Sequence, residues 1–174
     1  ASNNVVIKVH ASSVNPVDKA LLSGDLKMLV PVASFPHVIS YDVSGIVEEA
    51  DANGKFSVGQ SVFARLFGDA DDGKKTPWFR GAMAEYCVAH SSNVVVKPDN
   101  LTFAEAASIP LVGMTALQVL KNSGLKEGGS IFISGGAGGV GTMAIQLAKH
   151  VFKAGLVVTT ASKGEKEELC KKLG

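Results

Sequence analysis

The sequence predicts an α/β protein in which a β-barrel-like domain precedes the opening of a doubly wound parallel sheet. Three observations predict this class. Short β-branched runs alternate with glycine turns in the first half, as in compact antiparallel barrels. Strand and helix patterns alternate as β-α-β-α in the second half. A glycine-rich turn joins the strand predicted at 130–134 to the helix that follows it.

The composition excludes several classes of function. Of the 174 residues, 46% are hydrophobic and 19% are charged, which is typical of a globular protein, and the formal net charge is +1. We expect no nucleic acid and no membrane among the partners, because no basic patch and no apolar run near ~18 residues is present. Cys87 and Cys170 are too few for a disulfide framework and suit a reducing compartment, so we expect a cytoplasmic protein.

The first half is read as strands joined by turns. Asn15 stands before Pro16, which predicts a turn, and a short helix at 19–22 then ends at Gly24. The acidic stretch 69–75 is interpreted as a polar loop. The predicted strand regions are 5–10, 38–48 (strand, turn, strand), 58–64, 81–89 and 94–97.

The pattern changes near residue 98, so we predict domains at 1–98 and 99–174. Thr102 and Glu105 form a capping box that begins a short helix. A second helix is predicted from Gly113 to about Gly124. After the glycine turn a helix runs to about His150, and a strand at 156–160 and a charged helix at 165–173 follow.

The glycine turn matches the dinucleotide fingerprint as Gly136-x-Gly138-x-x-Gly141. Its glycines allow a tight turn, close approach of the backbone to a pyrophosphate, and contact between helix and sheet. The alternative is a flexible glycine turn without a ligand. The predicted cofactor-binding residues of the turn are Gly136, Ala137, Gly138, Gly139, Val140 and Gly141.

The residues after the second strand predict which dinucleotide binds. An NAD enzyme places Asp or Glu about 20 residues after the last glycine, where it binds the ribose 2′-hydroxyl. Here that position is Ala161, followed by Ser162 and Lys163. A hydroxyl and a cation suit a 2′-phosphate, so we predict NADPH as the cofactor. The alternative for Lys163 is a solvated loop lysine.

Seven motifs occur along the chain in the same order as in the medium-chain dehydrogenases/reductases. The chain most resembles the zinc-independent quinone oxidoreductase and enone (2-alkenal) reductase branch of that superfamily. The resemblance implies a GroES-like catalytic domain at 1–98 that lacks its first strands. It also implies an NADP-binding Rossmann domain at 99–174 that lacks its later part, and a possible homodimer. The motifs lie at 15–18, 41–47, 58–63, 84–86, 106–111, 113–116 and 135–141.

The same resemblance argues against a bound metal. Asn15, the pair Tyr41 and Asp42, and Leu111 stand where zinc-dependent relatives carry cysteine, histidine or glutamate ligands. The four histidines do not share a ligand spacing and are interpreted as surface or packing residues. We therefore expect no metal.

The resemblance implies a metal-free, NADPH-dependent reductase that transfers hydride to quinones or α,β-unsaturated carbonyls. It places Asn15 and Asp18 near the nicotinamide and its ribose, Tyr41 in the substrate pocket, and Thr115 against the nicotinamide or the phosphates. Turn chemistry for Asn15 and Asp18, and ordinary packing for Tyr41, are the alternatives. Two other functions stay open: a non-catalytic, crystallin-like NADPH-binding protein, and an enoyl-thioester reductase.

Overall fold

A computed structural model describes residues 3–28, 37–66 and 81–174. The chain divides into two compact units, Ala1–Pro110 and Leu111–Gly174. The predicted loop at 69–75 lies outside the described residues. None of the helices within the described ranges has the length and apolar content needed to cross a bilayer.

The first unit is built on an antiparallel sheet of five strands. They are β1 (Asn4–Ser12), β2 (Asp42–Glu49), β3 (Ser61–Arg65), β4 (Tyr86–His90) and β5 (Val94–Val96). Their order in the sheet is β4-β1-β2-β3-β5. Alternate residues of β1 and β3 point into the core, where Val5, Ile7, Val43 and Val62 are fully buried. Two register shifts in the β1–β2 pair increase the local twist.

The prediction of a strand, a turn and a second strand at 38–48 is wrong, because β2 runs unbroken through Gly45. Gly45 pairs with Val9 of β1. A Cβ on Gly45 would lie 2.1 Å from the carbonyl oxygen of Lys8. The glycine therefore marks a close approach of two backbones, not a turn.

Two helices begin three residues earlier than the sequence predicts, and both begin with proline. Helix α1 (Pro16–Ser23) follows Asn15 as its N-cap and ends at Gly24, whose φ is 78°. Helix α3 (Pro110–Asn122) likewise starts at its proline. Proline suits the first helical position because its missing N–H has no partner there in any helix. Between them lies the short helix α2 (Phe103–Ala107).

The capping box of α2 is confirmed. The backbone N–H of Thr102 donates to the Glu105 carboxylate at 2.8 Å, and the Glu105 N–H donates to Thr102 Oγ1 at 3.2 Å. Helix α2 packs on β1 and β2. Phe103 of α2 stacks on His10 of β1, with ring centroids 4.4 Å apart.

The second unit has the predicted β-α-β-α order, with two parallel strands. Strand β6 (Ser130–Ile133) leads through the glycine turn into α4 (Gly139–Gln146), which a π-helical turn extends over Leu147–Val151. Strand β7 (Leu156–Thr159) and helix α5 (Glu165–Leu173) follow. The core of this unit contains Leu120, Ala148 and Ala154, with partly buried side chains of both strands packed against them.

The close approach at Gly45 predicts a large loss of stability in Gly45→Ala. The new methyl group meets backbone of a central strand, which cannot move aside, so we expect the free energy of unfolding to fall by about 3 kcal/mol or more. Gly54→Ala is the control, since its Cβ would meet nothing within 4 Å and only its φ of +67° costs energy, about 1–2 kcal/mol. Chemical denaturation measures both, and equal losses would contradict the prediction.

Candidate functional site

A buried polar cluster lies where β1 ends and β2 begins. Ser12 at the end of β1 pairs with Val43 near the start of β2, so the residues that flank these positions lie side by side. Four polar residues of the cluster are almost completely buried: Asn15 (6% exposed), Asp18 (0%), Ser40 (1%) and Asp42 (0%). Since a buried carboxylate is costly without hydrogen bonds, the contacts of the two aspartates define the cluster.

Asp18 holds two pieces of backbone together. Its Oδ2 accepts the N–H of Asn15 at 2.7 Å, and its Oδ1 accepts the N–H of Ser40 at 2.8 Å. The carboxylate also lies in the first turn of α1, where the helix dipole favours a negative charge. Asp18 thereby fastens the start of α1 to the segment that leads into β2.

Asp42 binds side chains. Its Oδ2 accepts the hydroxyl of Ser13 at 2.8 Å and the Asn15 amide, through Nδ2, at 2.8 Å. Arg65 stands opposite Asp42 in the β2–β3 register. Burial lowers the pKa of the Arg65 guanidinium, and the negative charge of Asp42 opposes that effect.

Ser40 adopts a left-handed backbone conformation, with φ of 75°, which is uncommon for a residue other than glycine. Its hydroxyl donates to the carbonyl oxygen of Ser13 at 2.7 Å and lies 3.2 Å from that of Asp42. Its own carbonyl accepts the N–H of Ala82 at 2.9 Å. Strained backbone of this kind persists only where surrounding contacts hold it.

Tyr41 is 7% exposed, and its phenol lies within the electrostatic reach of the Asp18 carboxylate. Burial raises the pKa of its phenol, and the negative charge of Asp18 raises it further. The phenol therefore stays neutral at physiological pH. The structure brings Asn15, Asp18 and Tyr41 into one cluster.

The sequence reasoning missed Ser13 and Ser40, and it assigned no role to Asp42. Asp42 left a usable signal, because it stands beside Tyr41 at the start of a predicted strand, where an acidic residue is uncommon. Ser13 and Ser40 left none, since hydroxyl residues near a turn are common in any protein.

The glycine turn of the second unit has the close contacts that the fingerprint predicts. A Cβ on Gly136 would lie 2.2 Å from Thr159 Oγ1, and one on Gly141 would lie 2.3 Å from the carbonyl oxygen of Gly135. A Cβ on Gly139 would lie 3.1 Å from the Val112 side chain. Gly138 is the N-cap of α4, so the first N–H groups of that helix border the turn.

A pocket of about 490 Å³ lies beside this turn. Ser162 lines it, and the lysine among its lining residues is Lys166, whereas Lys163 is not among them. Thr160 closes one side, where its Oγ1 accepts the N–H of Gly135 at 2.9 Å. No carboxylate is among the lining residues, which are Gly135, Ala137, Gly138, Thr160, Ala161, Ser162 and Lys166.

Val140 and Gly141 face a second, mostly apolar cavity of about 340 Å³ that α3, β6 and α4 also line. Thr115 of α3 donates its hydroxyl to the carbonyl oxygen of Leu111 at 2.8 Å, within its own helix. The contacts predicted for Thr115 and Lys163 with a cofactor stay predictions.

The cysteines and histidines add no reactive cluster. Cys87 packs in the core of the first unit at 5% exposure, as predicted, and burial raises the pKa of its thiol to about 12. Cys170 is buried as well. Within residues 3–28, 37–66 and 81–174, no group of three or more histidine, cysteine or acidic side chains is placed to hold a metal ion.

Comparison with known proteins connects both units to one family. The family described as the alcohol dehydrogenase GroES-like domain matches residues 1–99. Over 173 residues, the chain is 42% identical to 2-methylene-furan-3-one reductase of Solanum lycopersicum and 39% identical to the chloroplastic NADPH-dependent alkenal/one oxidoreductase of Arabidopsis thaliana. A solved structure of the quinone oxidoreductase from Coxiella burnetii matches with a TM-score of 0.73 and 36% identity, over 99% of this chain and 51% of that one.

The chain therefore belongs to the alcohol dehydrogenase GroES-like family of the medium-chain dehydrogenase/reductase superfamily, as its motifs predict. Each of the two curated relatives aligns with 99% of this chain, and the chain spans 43% of each of them.

The raised pKa of Cys87 predicts that its thiol is inert in the folded protein. An unfolded cysteine has a pKa of about 8.5. The folded state favours the neutral thiol of Cys87, so the associated stability of the fold is fully present below about pH 8.5 and is lost as the pH rises toward 12. At pH 8 we expect iodoacetamide to label Cys87 at least ~100-fold more slowly in the native than in the unfolded protein. Peptide mapping by mass spectrometry measures the ratio, and comparable rates would contradict the burial of the thiol.

Proposed function

We propose that the protein is an NADPH-dependent, metal-free reductase that transfers a hydride to α,β-unsaturated carbonyls, with quinones as further acceptors. The observation that carries this proposal is the carboxylate-free pocket with Ser162 and Lys166 beside a dinucleotide turn. The names of the two plant relatives, an enone reductase and an NADPH-dependent alkenal/one oxidoreductase, support the substrate class. The similarity to the quinone oxidoreductase from Coxiella burnetii supports quinones as further acceptors.

The residues of the second unit fit the proposed cofactor. The turn closes tightly because Gly136 and Gly141 lack a Cβ, which would collide with Thr159 or with the backbone of the turn, and such a tight glycine turn lets backbone approach a pyrophosphate. The first N–H groups of α4 favour its negative charge. In our proposal Ser162 and Lys166 hold the 2′-phosphate, because a hydroxyl and a cation replace the carboxylate that would repel it.

When bound, the dinucleotide supplies the hydride, and the residues of the chain orient the reactants and exclude water. We assign the orientation of the nicotinamide and its ribose to Asn15, with Asp18 as its support, and the orientation of the acceptor to Tyr41. Amide, phenol and alkyl side chains at Asn15, Tyr41 and Leu111 are poor zinc ligands, which favours the metal-free reaction. We keep the proposed division of roles between catalysis at 1–98 and NADPH binding at 99–174. A cytoplasmic location and a homodimer stay predictions.

Two lysines three positions apart permit a matched test of the cofactor site. We expect Lys166→Ala to raise the Kd for NADPH about tenfold or more, because it removes a charge-assisted contact with the 2′-phosphate, and to leave the Kd for NADH unchanged. Lys163→Ala is the control and should change either Kd less than about threefold. Fluorescence titration of the full natural protein measures both. If Lys163→Ala has the larger effect, the cation is Lys163, as the sequence alone predicts.

Turnover tests the proposed reaction itself. We expect the full natural protein to oxidise NADPH in the presence of a 2-alkenal and of 9,10-phenanthrenequinone, with the higher kcat/KM for the alkenal. The absorbance of NADPH at ~340 nm follows both reactions. Tight binding of NADPH without turnover of either acceptor would contradict the reductase and favour a non-catalytic NADPH-binding protein.

A further inference from the structure

Two neighbouring threonines at the end of β7 use their hydroxyls in opposite ways. Thr159 Oγ1 donates to the carbonyl oxygen of Ile133 at 2.5 Å, so its proton is used between the two strands. Thr160 Oγ1 instead accepts the N–H of Gly135 at 2.9 Å. The carbonyl oxygen of Thr160 also accepts the N–H of Gly136 at 3.0 Å. Thr160 therefore holds the start of the glycine turn through two contacts.

The contact with Gly135 determines how the Thr160 hydroxyl can act. A hydroxyl has one proton to donate and two lone pairs that accept. Because a backbone N–H only donates, one lone pair of Thr160 Oγ1 is directed at Gly135, and the hydroxyl proton is directed elsewhere. In the part of the chain that the structure describes, no acceptor takes this proton. The Thr160 side chain thus keeps one hydrogen-bond donor for a ligand.

Thr160 lines the pocket of about 490 Å³ beside the turn, together with Ser162 and Lys166. The other four lining residues are glycines and alanines, whose side chains carry no polar group. The polar side chains of the pocket are therefore two hydroxyls and one ammonium, and all three can donate hydrogen bonds. All of the lining residues belong to the second unit, so this pocket is complete within one compact unit.

A phosphate group is the ligand chemistry that fits these donors. A phosphate monoester is an anion whose oxygens accept hydrogen bonds, and the pocket offers it one positive charge, at Lys166, and no negative one. A hydrogen bond to a charged phosphate oxygen is about twice as strong as one between neutral groups. The same hydroxyl therefore stabilises a bound phosphate more than it stabilises a bound ribose hydroxyl.

We propose that Thr160 is a specificity-determining residue, which donates its hydroxyl proton to the 2′-phosphate that distinguishes NADPH from NADH. This inference rests on the proposed function and deepens it. Thr160 then does two things at once: its oxygen accepts the N–H of Gly135, and its proton binds the ligand. Ser162 and Lys166 are the other two donors to the same group.

Replacement of Thr160 by valine tests the inference, because it removes the hydroxyl and keeps the branched shape of the side chain. Loss of the contact with Gly135 alters the turn for both dinucleotides, whereas loss of the donor acts mainly on the one that carries the 2′-phosphate. In the full natural protein we therefore expect Thr160→Val to raise the Kd for NADPH at least about fivefold more than the Kd for NADH. Fluorescence titration measures both.

Two further variants separate donation from folding. Thr160→Ser retains the hydroxyl and should keep the ratio of the two Kd values within about twofold of that of the unaltered protein. Thr159→Val is the matched control, because it removes a hydroxyl whose proton is already used by Ile133. It should lower the thermal midpoint, since the carbonyl of Ile133 loses this partner, and leave the ratio within about twofold.

Equal increases of both Kd values in Thr160→Val would overturn the inference, because Thr160 would then only hold the turn. Unchanged Kd values in that variant would overturn it as well. A change of the ratio in Thr159→Val as large as that in Thr160→Val would also overturn it, since the ratio would then follow the packing of the turn and not the donor.

Two nucleotide fragments distinguish this inference from the proposed function. Adenosine 2′,5′-bisphosphate and 5′-AMP differ only in the 2′-phosphate, and neither can transfer a hydride. A tighter Kd for the bisphosphate in the unaltered protein, reduced at least about fivefold in Thr160→Val, supports the inference even if turnover is absent and the reductase fails. A preference that survives in Thr160→Val overturns the inference alone. Equal binding of both fragments by the unaltered protein removes the preference for NADPH and the inference with it.

Discussion

Two carboxylates with no solvent exposure, Asp18 and Asp42, are the constraint on which the first unit depends. A buried negative charge is tolerated only where hydrogen-bond donors surround it, and here the donors come from two separate stretches of chain, Ser13–Asn15 and Ser40. The end of β1, the first turn of α1 and the segment before β2 have to meet so that both charges are satisfied. The position of Asn15 and Tyr41 follows from that meeting.

The constraint in the second unit is different, because its glycine turn depends on the absence of side chains. Around Gly136 and Gly141 a single methyl group would collide with Thr159 or with backbone, so only glycine allows the turn to close. Polar groups border the pocket only after β7 in the sequence, where Ser162 offers a hydroxyl and Lys166 a positive charge. The polar cluster of the first unit is therefore sensitive to the loss of hydrogen-bond partners, and the glycine turn of the second unit is sensitive to added volume.

Much of this architecture could be predicted from local patterns. The capping box at Thr102, the parallel β-α-β-α order and the packing of Cys87 follow from rules that act over a few residues, and the structure confirms them. The unbroken β2 could not be predicted, because the role of Gly45 depends on Lys8, a residue distant in sequence. For the same reason Asp42 received no role, since its partners Ser13 and Asn15 lie 29 and 27 positions away. A count along the chain leads to Lys163, whereas the start of helix α5 sets which lysine borders the pocket, and that lysine is Lys166.

Ser40 combines a strained backbone conformation with a side-chain hydrogen bond that only a hydroxyl residue can make. Glycine would adopt its φ of 75° without strain, yet glycine has no hydroxyl to offer Ser13. The backbone conformation of Ser40 is thus unfavourable in the isolated chain and is held only by contacts with the assembled neighbours. The unfolded chain therefore carries no local preference for the backbone geometry before Tyr41, and only the assembled contacts of the candidate active site hold it in place.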